Sequence, residues 1–261
     1  MHYQPTSDPS TISSLKAEWR KTLTAPQDGM WESLTGNAQH WEIRQDSELV
    51  GYACVDDEHR LLQFYLQPEF LAEGPAAFQQ FIEEQKIKKA LIGTNNPVCL
   101  SLAMHWQKSV LVDTYLFEDY LDKKPDPIDG VFRSAGEAEL ERLVDFYQTS
   151  MGAPADWLRS YTGDLLSKGE VFVLEQGAEI LGACEVRKSV VQPEVADLGM
   201  VVSVNHRRKG LGTYLLGQAK RISHEWDRKP ICSCEKENAG SLQSILNNGF
   251  RSVHQMLVME F

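Results

Sequence analysis

Apolar positions recur along this chain at two periods, and the order in which those periods alternate is repeated. Near the start, Ser10 stands as an N-cap and Ile12, Leu15, Trp19 and Leu23 follow at helical spacing, which predicts a helix over 10–23. Gly36-Asn37 marks a turn. Residues 40–44 and 49–55 read as strands joined across Gln45-Asp46-Ser47. Strands are predicted again at 61–66, 89–93 and 110–117, and helices at 75–85 and 98–106. Residues 119–129 then gather Lys123-Lys124-Pro125-Asp126-Pro127 and Asp129-Gly130, a composition that predicts a linker.

The second half follows the same order. Leu140, Leu143, Val144 and Tyr147 form a stripe in a helix over 137–147, and a second helix covers 155–168. Strands at 171–175 and 180–186 flank the turn Gln176-Gly177-Ala178, followed by a strand at 196–202. A long helix at 211–225, a strand at 231–235, a helix at 239–247 and a strand at 253–260 complete the series. Glu48-Leu49-Val50-Gly51-Tyr52-Ala53 returns 131 positions later as Glu179-Ile180-Leu181-Gly182-Ala183-Cys184. Gly74 corresponds to Gly210, after a loop that is longer in the second half. A repeat of this length means two copies of one domain, 1–127 and 128–261. Each copy is expected to be an α/β (α+β) unit, a mixed and mostly antiparallel sheet flanked by helices.

Composition narrows the function. Apolar residues make up 42% of the 261 and charged residues 24%, enough for sizeable cores. The formal net charge of -11 speaks against nucleic acid as a partner and mildly favours a cationic one. Cys54, Cys99, Cys184, Cys232 and Cys234 form no framework, and Cys232-Ser233-Cys234 lacks the second pair that a zinc site needs. No metal is expected. There is no signal-peptide pattern and no apolar run of about 18 residues, so the expectation is a cytoplasmic protein without membrane contact.

Candidate chemistry gathers at Val202-Ser203-Val204-Asn205-His206-Arg207-Arg208-Lys209-Gly210-Leu211-Gly212, a strand end running into the strongest helical stripe of the chain. The first amides of a helix lack internal partners, the dipole adds about half a positive charge there, and glycines allow close approach. Such a turn suits a phosphate. It lacks the Gly-Lys-Ser/Thr of a P-loop and the third glycine of a Rossmann turn.

This stretch resembles the acyl-CoA loop of the GNAT superfamily of N-acetyltransferases, a hydrophobic strand followed by Arg/Gln-x-x-Gly-x-Gly/Ala. Asn238-Ala239-Gly240-Ser241, followed by a helix that ends in Gly249-Phe250, is similar to the family's later helix. The resemblance implies that acetyl-CoA is the co-substrate. It implies that Arg207, Arg208, Lys209, Gly210, Leu211, Gly212 and Thr213 hold its pyrophosphate. Met200, Val201 and Val202 would pair with the pantetheine arm where two strands splay, and an amide near Val201 or Val202 would serve as oxyanion donor. Asn238 and Ser241 would contact pantetheine or adenosine phosphates, although helix capping explains both residues equally well.

The chain departs from the family at two catalytic positions. Ile245 stands where many members place a tyrosine acid, and Ser233 where some place a glutamate base. Asp197 and Glu185 are the candidate bases in or beside the acyl-site strand, with Glu194 and Glu235 as further carboxylates; water-relayed proton transfer is the alternative. In the first copy Leu71, Glu73 and Pro75 replace the basic turn, which predicts a domain without cofactor, with Trp41, Phe64, Tyr65, Phe70 and Trp106 as core or, alternatively, as a substrate wall. The expected function is transfer of an acetyl or short acyl group to a primary amine of a small molecule or peptide. The rival readings are a silent acyl-CoA-binding scaffold and an aminoacyl-tRNA-dependent transferase.

Overall fold

A computed structural model describes residues 1–6 and 8–261 of the chain. The chain forms two compact units, Met1–Tyr115 with His254–Phe261, and Leu116–Val253. The sequence places a boundary after 127; in the structure the chain crosses between units within two of its strands.

The first unit runs β1 (His2–Thr6), α1 (Ser13–Lys21), α2 (Gly29–Asn37), β2 (Gln39–Gln45), β3 (Glu48–Val55), β4 (Arg60–Leu66), α3 (Gly74–Glu84), β5 (Lys89–Gly93), α4 (Pro97–Met104) and the start of β6 (Ser109–Asp119). Strands β1 to β4 pair antiparallel in sequence order, and β4 pairs parallel with β5. The other edge of β5 is taken by residues 256–260 of the last strand of the chain, antiparallel. Phe64, Phe78, Phe81 and Ile92 form the core beneath α3, together with Leu257 and Met259 from that last strand. Ile12, Leu15 and Trp19 pack on Tyr52 and Tyr65. Phe64 and Tyr65 are buried, and Trp41, Phe70 and Trp106 pack half-buried against the main core.

The second unit takes up the chain with β7 (Val131–Ser134), α5 (Leu140–Met151), α6 (Ala155–Ser167), β8 (Val171–Gln176), β9 (Glu179–Lys188), β10 (Val195–Val202), α7 (Leu211–Glu225), β11 (Lys229–Glu235), α8 (Ala239–Asn247) and the start of β12 (Phe250–Glu260). Its pairing repeats the first: β7 to β10 antiparallel in order, and β10 parallel with β11. Both hairpins carry a register shift near their turns, at Ile43/Arg44 and at Leu174/Glu175. The apolar stripes of α5 and α6 cover Val171, Val173 and Ala183. Leu215 of α7 lies on the other face, against Gly182.

Three local expectations are corrected. Ser10 does not cap a helix: Asp8 accepts its N–H at 2.9 Å and opens a 3-10 turn over Pro9–Ile12, ahead of α1. Gly36-Asn37 is the last part of α2, capped by Asp28, which accepts from Met30 and Trp31 at 2.9 and 3.1 Å. Segment 119–125 is docked rather than loose. Leu121 donates its N–H to Gly249 at 3.2 Å, and buried Lys220 donates to the Leu121 carbonyl at 2.7 Å and pairs with Asp119 at 2.6 Å. A side chain on Gly217 would collide with Pro125. Strands β1 and β7 escaped the sequence pattern because each is a short edge strand without alternation.

Candidate functional site

The site is built where β10 and β11 part. Their parallel pairing holds for Val195, Ala196 and Asp197 opposite Lys229, Pro230 and Ile231, and goes no further. Strand β9 follows β10 on its other side to Val202. Met200, Val201 and Val202 therefore keep one backbone edge outside the sheet, able to accept an added strand-like arm.

Beyond β10 the chain turns through a 3-10 step at Val204–His206 and enters α7 with unusual backbone angles. Arg208 has φ +63° and Gly210 φ +82°. A β-carbon at Gly210 would meet no neighbour, so the glycine answers to conformation and not to space. The left-handed Gly210 is the N-cap, and no side chain caps the helix. Tyr214 is the first helix amide with an acceptor, the Gly210 carbonyl at 3.1 Å. The amides of Leu211, Gly212 and Thr213 precede it in the first turn, the position at which helix amides lack intrahelical partners. Close packing explains Gly212: a β-carbon there would lie 2.8 Å from Ser244 Oγ of α8 and 3.5 Å from Met200 Sδ.

These elements enclose a cleft of about 920 Å³. It brings together Met200, Val201, Val202, Arg207, Arg208, Gly210, Leu211, Gly212, Thr213, Asn238 and Ser241. Lys209 stands apart from the lining, its ammonium 3.5 Å from the Asn205 carbonyl and 3.4 Å from His206 Nδ1. Arg207 reaches the Ser150 carbonyl at the end of α5, at 2.6 Å. Asn238 caps α8, accepting the Ser241 N–H at 3.0 Å. The sequence did not single out Ser150, Met151, Glu237 or Ser244, which also line the cleft. The lining carries two arginines, Arg207 and Arg208, and one carboxylate, Glu237, a local excess of positive charge in an acidic chain. Cys234, buried near Ser241, has its thiol pushed up to about 11 by desolvation, which disfavours the thiolate form a nucleophile needs.

The two candidate bases lie on the α5/α6 face of the sheet and are buried. Glu185 is 6% exposed and Asp197 2%. Arg187 ties them together, with Nη1 2.7 Å from Glu185 Oε2 and Nη2 2.9 Å from Asp197 Oδ2. The Tyr161 hydroxyl of α6 donates to the same Glu185 oxygen at 2.6 Å and accepts from Arg187 at 2.9 Å. Neither Tyr161 nor Arg187 was among the sequence candidates, although Arg187 stands two residues from Glu185 and strand periodicity puts both on one face. Ile245, at the position of the missing acid, is buried and apolar, and Ser233 is half-buried in β11.

The first unit shows the same strand parting without the anion turn. Strands β4 and β5 pair only at Arg60 with Lys89 and Leu61 with Ala90. A 3-10 run, Pro68–Glu73, leads directly into α3, and the Gly74 N–H donates to the Leu71 carbonyl. Pro75 removes one donor of the first turn of α3, and Leu102 packs on Gly74. Among the described residues there is no group of three or more His, Cys, Asp or Glu that could hold a metal, and no helix long and apolar enough to cross a membrane.

Comparison with known proteins places this geometry. Residues 9–120 match an acetyltransferase (GNAT) domain family and residues 137–250 the acetyltransferase (GNAT) family. An acetyltransferase of the GNAT family from Colwellia psychrerythraea superposes with TM-score 0.96 at 28% identity, covering 100% of both chains. A GCN5-related N-acetyltransferase from Sphaerobacter thermophilus gives TM-score 0.71 at 14% identity over 99% of this chain and 95% of its own. A tandem GNAT protein of the clavulanic acid biosynthesis pathway gives 0.65 at 15%, over 99% and 97%. No curated protein sequence matches the chain.

Proposed function

Because the chain belongs to the GNAT acetyltransferase family in both of its halves, we propose that its second unit binds acetyl-CoA and transfers the acetyl, or another short acyl group, to a primary amine. The observation that carries this reading is the conjunction of an uncapped helix N-terminus with a free strand edge in one cleft. First-turn amides of α7 and the guanidinium of Arg208 suit a diphosphate. The open edge of Met200–Val202 suits an extended amide-bearing arm. A thioester held there would supply an activated acyl carbon. The side chain missing at Gly212 supports the fit, since a larger residue would push Ser244 or Met200 into the space.

The first unit, in this reading, is a domain without cofactor. Its helix is entered from a 3-10 turn, Pro75 removes one first-turn donor, and Glu73 adds negative charge beside it. A second reading, a silent acyl-CoA-binding protein, draws on buried Ile245 and on Ser233 at the positions of the usual acid and base.

Two measurements test the proposal. Calorimetry with coenzyme A should show binding that weakens as salt rises, and Arg208→Glu should lower affinity at least about tenfold, the equivalent of about 1.4 kcal/mol. Thiol release with a panel of primary amines separates enzyme from silent binder. Absence of heat with coenzyme A would sink both readings.

A further inference from the structure

Asn248 closes α8, buried and directly ahead of the left-handed Gly249. Its Nδ2 donates twice, to the Ser244 carbonyl in α8 at 2.8 Å and to the Thr213 carbonyl in α7 at 2.9 Å. Two carbonyls on that side of the group decide which end of the amide is nitrogen. The backbone carbonyl of Asn248 accepts from buried Lys220 of α7 at 3.0 Å. Asn248 therefore grips α7 at two points. Thr213 and Lys220 share one helical stripe and stand about 10 Å apart along the axis. Gly217 lies between them on that stripe, and a β-carbon there would be 2.8 Å from Asn248 Oδ1. One contact would leave α7 free to turn against α8, whereas two fix its angle as well as its distance. Packing alone does not call for an amide at this place. Asn248 Oδ1 is buried with no partner, and an unpaired buried carbonyl costs free energy that an apolar side chain would avoid. What an apolar side chain would not supply is the directed bridge between the helices. Thr213 and Ser244, the residues tied together by that bridge, both line the cleft. Ser244 Oγ donates in turn to the Gly240 carbonyl at 3.0 Å, in the first turn of α8.

We propose that Asn248 is a positioning residue for the coenzyme: it holds α7 at a set angle to α8, so that the first-turn amides of α7 and the wall supplied by α8 meet the diphosphate together. The inference rests on the acyltransferase reading above and concerns its coenzyme site. Asn248 does not itself line the cleft and acts through Thr213 and Ser244. The amides of Leu211, Gly212 and Thr213 gain from converging on one anion only while their helix keeps its direction. Close packing of Gly212 on Ser244 sets how near the helices come, and the bonds of Asn248 behind that contact set how far they open. Loss of the bridge to Thr213 frees the first turn of α7 and leaves Lys220 as the single remaining tie to Asn248.

The test uses the full chain, coenzyme A as the calorimetric probe and two variants. Asn248→Ala removes both side-chain bonds. Asn248→Ser restores one of them: a hydroxyl reaches the carbonyl four residues back in its own helix, that of Ser244, but is too short to reach Thr213. Both variants should bind coenzyme A about tenfold more weakly than the wild type. Amide hydrogen exchange over 214–217 should quicken in both, while denaturant unfolding reports that each variant is folded. Where an amine supports thiol release, KM for acetyl-CoA should rise with kcat held within about twofold, a split that general loss of folded protein would not produce. Wild-type affinity in Asn248→Ser would overturn the inference, because the bond within α8 would then be all that matters. Wild-type affinity in both variants would overturn it as well. In either case binding of coenzyme A by the wild type leaves the functional reading standing. If the wild type binds no coenzyme A, the functional reading falls and takes this inference with it.

Discussion

Removing residues 254–261 should unfold the first unit and spare the second. The last strand is distant in sequence from the sheet it completes, yet Met256, Leu257 and Met259 are 5%, 8% and 0% exposed in the first unit. Burying such side chains is worth about 1.5–3 kcal/mol each, so roughly 5–9 kcal/mol is lost with them. Backbone bonds go as well: Thr94 to Gln255 at 2.8 Å, Lys108 to Glu260 at 2.7 Å and Phe261 to Lys88 at 3.0 Å. The loss is comparable to the whole stability of a domain, about 5–15 kcal/mol. The assay is denaturant unfolding of the truncated chain, followed by tryptophan emission and by coenzyme A binding. Trp19, Trp31, Trp41 and Trp106 lie in the first unit and Trp157 and Trp226 in the second, so emission reports mainly the first. The expected result is emission already red-shifted without denaturant, with coenzyme A still bound. A truncated chain that unfolds at the wild-type midpoint would refute the argument, because the buried area would then contribute nothing.

Other outcomes follow from the same geometry. Gly212→Val should abolish measurable coenzyme A binding in calorimetry while shifting the unfolding midpoint by no more than overpacking costs, about 1–3 kcal/mol. Lys220→Met strands the carbonyls of Leu121 and Asn248 and leaves Asp119 with His224, 3.0 Å away, and should cost about 3 kcal/mol in denaturant unfolding. His40 accepts a 2.7 Å bond from Lys16, and desolvation followed by the neighbouring Lys16 charge lowers its pKa to about 4. The neutral ring therefore contributes stability that is complete above about pH 6.5 and is lost as pH falls toward 4. Melting scans between those values should show the wild type losing several degrees relative to His40→Gln.

Apart from β1, β7 and α2, the strands and helices of both copies were legible because their apolar periods are clean, and the repeat drew attention to the turn at Gly210 by contrast with Glu73 and Pro75. Helix α2 was not legible, since it buries little beyond Trp31 and Thr35 and its Gly36-Asn37 reads locally as a turn. Nothing in residues 254–261 says which sheet they join, because alternation fixes a face and not a neighbour. The docking of 119–125 hid behind prolines, which signal stiffness and loose linkage alike. The polar cluster was half visible. Glu185 and Asp197 stood out as acids in core strands, but Arg187 looks like a surface cation, and Tyr161 counts in sequence as one more aromatic on a helix.

Gly51 and Gly182 hold equivalent places in the two copies, and in each a β-carbon would strike the neighbouring strand, at the Tyr65 carbonyl in one and 2.9 Å from the Val201 carbonyl in the other. Both copies thus preserve the crowding beside the parted strands, although only one enters its helix through a left-handed glycine with no side-chain cap. The wedge between strands belongs to the scaffold of both copies, and the copies differ in the turn that follows it. One sheet-and-helix plan thus tolerates two different entries into the helix behind its parted strands.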